Sequence, residues 1–488
     1  MRHFRLSAIV LLAAAALLAA ACARKDRTIA VATISEAAPF RSGTRLNSAA
    51  QLIRSASVEG LVAFDAEGRV IPALADRWIV TDDGQSYIFR LRDGTWLDGS
   101  PLTAAGARAS LLAAIAGVRR SALELDLDAV AEVRAMAGRV IEIRLVRPMP
   151  DLLQLLASPE MGLTNKGRGA GPMQVERRGQ GFLLTPILPA RRGLPDEAEW
   201  AERHRSIALR PLPAQSALAS FDAGDVDVVL GGRFEDLPRV VATGLSRGNI
   251  KLDPVAGLFG LAVVDDDGVL AAAANREAIA MAIDRDGLVQ SFNVGGWNAT
   301  TRLVNPGLEG DTGTVGERWA GLTFAQRRDE ATRRIARWRS GRAVAALRVA
   351  LPRGPGADLL FDRIVTDLGA IGLTVRRVPL EAAADLRMID TTARYARPLW
   401  FFDQLSCTAR RALCEPAADA LVARALAEAD PARRADRLAE AEAALTRANT
   451  FVPIAAPLRW SLVRGTITGF SVNRWAMHPL MAIATIDR

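Results

Sequence analysis

The sequence predicts an α/β protein with mixed sheets. Three observations carry this: short segments that alternate with strand period, Ala/Leu-rich segments of helical period between them, and strand–turn–strand units that interrupt the order. Residues 28–33 (Thr-Ile-Ala-Val-Ala-Thr) alternate as a first strand. Residues 70–91 read as strand, turn, strand. Ile79 and Val80 run into Asp82-Asp83-Gly84, a turn signal, and residues 87–91 alternate beyond it. Residues 103–118 form a helix with Thr103 as its N-cap, and residues 139–145 form another strand. A short helix over 214–223 leads through Gly224-Asp225 into a buried strand over 226–230. A continuous helix is expected over 276–290, with Asp284 and Arg285 as solvated or paired charges near its end. Strand 345–351, helix 357–370 and strand 373–378 follow. Residues 417–449 are helical, broken at Asp430-Pro431, where proline cannot continue a helix. No repeat of 20–50 residues is present.

A chain of 488 residues suggests two or three domains. Half its residues are hydrophobic and 24% are charged, as in ordinary globular proteins. The net charge of +8 raises nucleic acid or a membrane surface as a partner. The pattern argues against nucleic acid. Only Lys25, Lys166 and Lys251 are lysines, the arginines are scattered among acids, and aromatics make up 5%. A blocked basic patch interleaved with stacking side chains is missing.

The N-terminus has the pattern of an export signal. Arg2, His3 and Arg5 precede a small and apolar run over 7–18, which is shorter than the ~20 residues a membrane-spanning helix needs. Leu18-Ala19-Ala20-Ala21-Cys22 resembles a lipobox, in which the cysteine is acylated and becomes the new terminus. Ala19 stands where that motif prefers leucine, and Ala21-Cys22-Ala23 also reads as an ordinary cleavage site. Residues 1–22 are thus assigned to the signal and 23–27 to a tether. The protein is expected in the cell envelope or periplasm, anchored at Cys22 or released. No later stretch is long and apolar enough to span a membrane. Cys407 and Cys414 remain as a pair. In an oxidising compartment their short loop can be closed by a disulfide, the alternative being two free thiols.

The motifs are more specific than the periodicity. Pro72-Ala73-Leu74-Ala75, Trp78, Asp82-Asp83-Gly84, Phe89-Arg90-Leu91-Arg92-Asp93-Gly94 and Asp98-Gly99-Ser100-Pro101-Leu102-Thr103-Ala104 occur in that order. Gly169-Ala170-Gly171-Pro172, Gly224-Asp225-Val226-Asp227-Val228-Val229 and the run from Asn275 to Arg285 follow. Together they resemble the family 5 extracellular solute-binding proteins, receptor subunits of ABC importers for peptides, nickel and related solutes. Most of these residues serve turns and helix starts, so they point to fold rather than ligand.

The resemblance implies a two-lobed periplasmic-binding-protein clamp with a ligand cleft between the lobes. Lobe I would comprise 28–255, with an extra subdomain at about 60–190, and a C-terminal return over 455–488. Lobe II would comprise 256–454. A monomer that needs no cofactor and carries no metal of its own is implied, with a peptide or similar small solute as ligand and an ABC permease and ATPase as partners. It further implies ligand residues. Arg353, in Pro352-Arg353-Gly354-Pro355, stands where dipeptide-binding members place an arginine on the ligand carboxylate; the alternative is a solvated loop arginine. Trp400-Phe401-Phe402-Asp403 keeps the spacing of an element whose aspartate takes the ligand amine, and the cysteine pair follows it. The Asp-Pro stretch that normally intervenes is lacking, and a second alignment puts Asp390 in that role. Tyr395 and Arg394 lie between the two aspartates.

Enzyme readings are weak. Gly244-Leu245-Ser246-Arg247-Gly248 matches a nucleophile elbow, but a helix-like stretch precedes the serine and a strand-like one follows, the reverse of what that elbow requires. Outside the leader only His204 and His478 are histidines, which disfavours a histidine-rich nickel site, although a nickel chelate or other small solute needs few protein ligands and stays an alternative. Binding rather than catalysis is expected. An envelope sensor on the same scaffold is the alternative to an importer receptor.

Overall fold

The computed structural model describes residues 28–35, 46–119, 122–242, 248–341 and 345–486. Cys22, the tether 23–27 and Ser246 lie outside the described residues. Among those described, no helix is long and apolar enough to cross a membrane.

Two mixed sheets form the two lobes. The first runs Ile250–Asp253, Arg459–Val463, Val228–Arg233, Thr28–Ile34, Ser206–Leu212, Gly181–Pro186, Met173–Arg178. Its centre is parallel: Thr28–Ile34 pairs in parallel with both Val228–Arg233 and Ser206–Leu212, and the outer strands are antiparallel. Val31 and Ala32 are fully buried, as expected for a central strand covered on both faces. The second sheet runs Val375–Pro379, Leu347–Leu351, Leu386–Thr392, Gly257–Val263, Phe451–Ala455. The chain passes from the first sheet to the second between Asp253 and Gly257, and returns between Ala455 and Arg459.

A four-stranded antiparallel sheet, Ala75–Val80, Ser86–Leu91, Val140–Leu145, Val130–Ala135, makes the extra subdomain of the first lobe. Alternation puts Tyr87, Phe89 and Leu91 on its buried face. Helix Ala104–Gly117 covers that face through Ala107 and Leu111, and Thr103 caps the helix by accepting from the Gly106 N–H at 3.1 Å. One continuous apolar core joins this subdomain to Trp400, Phe401, Leu405 and Leu445 of the second lobe. The Gly169–Gly171 turn packs on the end of helix Ser48–Ser57. A Cβ on Gly169 or Gly171 would come within 2.3–2.4 Å of the Ser57 backbone, so no larger residue fits.

The helix expected over 276–290 is two helices, Ala273–Ala282 and Arg285–Gln290. The break follows from a tertiary contact. Asp284 donates its backbone N–H to the Asp367 carboxylate at 2.9 Å and caps the second helix by accepting from the Gly287 N–H at 3.1 Å. Arg285 is not solvated. It is 4% exposed and donates to the Pro453 carbonyl at 2.7 Å and the Ala280 carbonyl at 2.9 Å, tying this helix pair to the strand that leads back to lobe I.

Candidate functional site

A cavity of about 320 Å³ lies between the lobes. It is lined by Thr33 at the end of Thr28–Ile34, by Leu230, Gly231 and Arg233 at the end of Val228–Arg233, and by Thr391 and Thr392 at the end of Leu386–Thr392. These are the carboxyl ends of strands that run parallel to a neighbour, where open α/β sheets place their ligands. Helix Ser48–Ser57 adds Gln51 and Ser55; Asn47 fixes its start by accepting from the Ala50 N–H at 2.9 Å. Gly231 has φ +82°, and the strand is irregular between Val229 and Gly232. A Cβ on Gly232 would overlap the Trp460 ring at 2.1 Å. The turn-in of Arg233 therefore depends on glycine.

The second lobe contributes Arg394 and one face of helix Pro398–Leu405, with Trp400 and Gln404 four residues apart and hence neighbours on that face. Both are 1% exposed. Trp400 Nε1–H and Gln404 Nε2 find no hydrogen-bond partner among the described residues, nor does Thr33 Oγ1 across the cavity. Buried polar groups are normally paired, so a cavity whose wall residues carry several unpaired ones is a place where a solute can supply the partners. Arg411 donates to Gln404 Oε1, which fixes the amide with its NH₂ as the unpaired end. Arg394 stands 3.6 Å from Asp126 and 3.9 Å from Glu160, beyond hydrogen-bond distance from either.

Two other carboxylates line the cavity. Glu59 accepts from Arg92 at 3.2 Å and from Arg192. Glu160 accepts from Gln51 Nε2 at 3.2 Å. His478 donates Nε2–H to Asp253 at 3.2 Å, leaving its Nδ1 unpaired at the cavity edge.

Asp390 belongs to an ion cluster that spans the lobes. It accepts from Arg233 Nη2 at 2.9 Å and Arg459 Nη1 at 2.8 Å, and Arg233 and Arg459 are themselves cross-strand partners. Burial alone would raise the Asp390 carboxyl, but the two guanidinium groups hold it below its ordinary value. Burial raises neighbouring Glu235. Asp403 sits behind the helix face that Trp400 presents, where it accepts from the Tyr395 hydroxyl at 3.2 Å. Burial, then the charges of Asp126 and Asp128, push the Asp403 carboxyl well above its ordinary value. The Tyr395 phenol is likewise raised by burial and then by Asp403. Asp126, on the subdomain of the first lobe, is fully buried against this group, and burial pushes it up to about 7.

Of the six residues singled out from the sequence, Trp400 and Arg394 line the cavity. Asp390 lies directly behind Arg233 and Arg459, which do line it, while Asp403 and Tyr395 lie deeper in the seam between lobes. Arg353 is exposed at the bend between Leu347–Leu351 and Pro355–Ala370, outside the cavity lining. Sequence reasoning did not reach Gln404, Thr33, Arg233 or Arg459. The spacing of Gln404 from Trp400 was the one available signal. Cys407 and Cys414 form a disulfide with Cα atoms 4.6 Å apart, at the end of the helix that carries Trp400. Among the described residues, the carboxylates drawn closely enough to face one cation are Asp265, Asp266 and Asp267. They lie on a turn outside the cavity lining, and Asp265 pairs with Arg348 at 3.1 Å.

Residues 69–176 match the family "Bacterial extracellular solute-binding proteins, family 5 Middle". Among individual proteins, the chain is 34% identical over 139 residues to the probable deoxycholate-binding periplasmic protein YgiS of Escherichia coli K12, covering 24% of this chain and 25% of that one. It is 25% identical over 182 residues to the glutathione-binding protein GsiB of Escherichia coli O6:K15:H31, covering 37% of this chain and 34% of that one. The alignments thus span a quarter to a third of these relatives. The fold match is far more extensive. Haemophilus influenzae OppA, solved in complex with the peptide RPPGFSPFR, superposes with a TM-score of 0.79 at 16% identity, covering 94% of this chain and 98% of OppA.

Proposed function

We propose that this chain, a family 5 extracellular solute-binding protein by its signature over residues 69–176 and its two-lobed fold, is the receptor of an ABC importer. It captures a peptide or similar small solute between its lobes and delivers it to the permease and ATPase. The observation that carries this reading is the interlobe cavity, whose walls come from both lobes and hold buried, unpaired polar groups. A volume of about 320 Å³ suits a small ligand enclosed by closure. Lobe I is proposed as 28–255 with 455–488 and lobe II as 256–454. The two connections, 254–256 and 456–458, are where a hinge would act, because only they join the main sheets of the two lobes along the chain. The protein works as a monomer at the cell envelope, with Cys22 as the proposed anchor. The chemistry of uptake belongs to the importer, and this chain needs only to bind and release.

YgiS and GsiB carry names for a bile acid and for glutathione, and OppA was solved with a peptide. These precedents favour an organic solute, and the cavity volume favours a small one. Native mass spectrometry of the purified protein tests the reading. A bound mass that is lost on denaturation and identified as a peptide or small organic acid supports it. A sugar or a metal chelate contradicts it.

A further inference from the structure

We propose that Trp400, Gln404 and Arg394 form an oxyanion-binding wall, and that the solute is an acid without a free α-amino group. This deepens the proposed solute capture and rests on it. The wall consists of donors alone. Indole Nε1–H has no acceptor capacity, and a guanidinium has none. The Gln404 amide is fixed by Arg411 so that its NH₂ is the end left unpaired. Trp400 and Gln404 are buried on one helix face, both unpartnered, and Arg394 enters the same cavity with its nearest carboxylates at 3.6 and 3.9 Å. A carboxylate or similar oxyanion satisfies two neutral donors and a guanidinium together.

Each carboxylate that would serve an ammonium group already has a partner. Asp390 is shared between Arg233 and Arg459. Glu59 is taken by Arg92 and Arg192. Glu160 accepts from Gln51 through Oε1, and its other oxygen stands 3.9 Å from Arg394. Asp403 does not line the cavity, is bonded to Tyr395, and is held toward its neutral form. Three arginines (Arg233, Arg394, Arg459) line the cavity against two carboxylates, Glu59 and Glu160, each of which already accepts a hydrogen bond, so a ligand ammonium entering it would compete with existing partners. Gln154 presents an unpaired side-chain oxygen, which suits the neutral N–H of an acylated amine.

Four probes test this by calorimetry on the intact exported chain: tri-alanine, N-acetyl-tri-alanine, N-acetyl-tri-alanine amide, and glutarate. The N-acetyl acid is expected to bind about tenfold or more tighter than tri-alanine, since an added ammonium would gain a counter-charge only by competing with the partners of Glu59 or Glu160. The amide should lose that affinity. Trp400→Phe and Gln404→Leu should each weaken the acid by about tenfold, and Arg394→Lys should retain more affinity than Arg394→Ala. Unfolding midpoints of the unliganded variants show that the fold is kept. Tri-alanine binding as tightly as its acetylated form overturns the proposal while leaving peptide capture standing. Glutarate binding with all three peptide probes inert supports the wall and overturns the peptide reading. No binding by any carboxylate probe overturns the proposal, as does undiminished affinity in both Trp400→Phe and Gln404→Leu.

Discussion

Replacing Asp126 by asparagine should make the protein more stable, by a margin that grows from about pH 4 and is nearly full at about pH 7. Asp126 is buried where the subdomain of the first lobe meets helix Pro398–Leu405, and neither of its carboxylate oxygens has a hydrogen-bond partner among the described residues. Burial pushes its pKa from 3.8 to about 7, with Arg394 and Arg411 lowering it in part and Asp128 adding to the rise. Below 3.8 the folded and unfolded chains both hold this proton, between 3.8 and about 7 only the folded chain does, and above about 7 neither does. The folded state binds more protons within that window, so stability falls as pH rises through it. At about 1.4 kcal/mol per pKa unit, the interval sets a ceiling of roughly 4 kcal/mol on the penalty carried by the ionised form. Asparagine has nearly the same shape and no charge. Urea midpoints of the wild type and Asp126→Asn should therefore nearly coincide below about pH 4, diverge progressively up to about pH 7, and stay apart above it, the variant being the more stable. Parallel pH profiles, or a variant less stable at pH 8, would refute the assignment of Asp126 as a buried carboxylate without hydrogen-bond partners.

Other perturbations follow from the same structure. Gly171→Ala should cost about 2 kcal/mol or more in urea unfolding, because its Cβ would overlap the Ser57 and Val58 backbone. Asp390→Asn leaves Arg233 and Arg459 facing each other with only Glu235, 3.3 Å from Arg233, as a counter-charge and should cost about 3 kcal/mol or more, whereas replacing all three residues by apolar ones should cost less. Replacing Cys407 and Cys414 by serine opens a loop with a sequence separation of 7 and should cost about 2–3 kcal/mol by loop entropy; alkylation that succeeds only after reduction checks the bridge itself. Arg353→Ala should leave solute affinity unchanged by calorimetry, since Arg353 is exposed outside the cavity lining.

The features legible in the sequence are those with local causes. Asp82-Asp83-Gly84 turns where its composition says it should, Thr103 caps its helix, and Asp430-Pro431 separates Pro416–Ala427 from Pro431–Ala448. The order of family motifs led to the two-lobed clamp. What stayed hidden depended on partners distant in the chain. The break at Asp284 comes from Asp367, 83 residues away, and nothing near Asp284 marks it. The role of Asp390 is set by Arg233 and Arg459, 157 and 69 residues away. An aspartate free to meet an amine and one already neutralised look alike in sequence. Asp403 kept the expected spacing from Trp400, yet Tyr395 and burial beside Asp126 occupy its carboxyl. Trp400 and Arg394 were recognisable by type and position, whereas Gln404 needed the knowledge that Arg411 fixes its amide.

Hydrogen exchange with and without the solute released from the purified protein tests the central claim most directly. Capture between the lobes predicts slowed exchange in two segments at once: residues 46–60 on the first lobe, and residues 391–405, which carry Arg394, Trp400 and Gln404, on the second. Protection confined to one lobe, or appearing away from both segments, would contradict it.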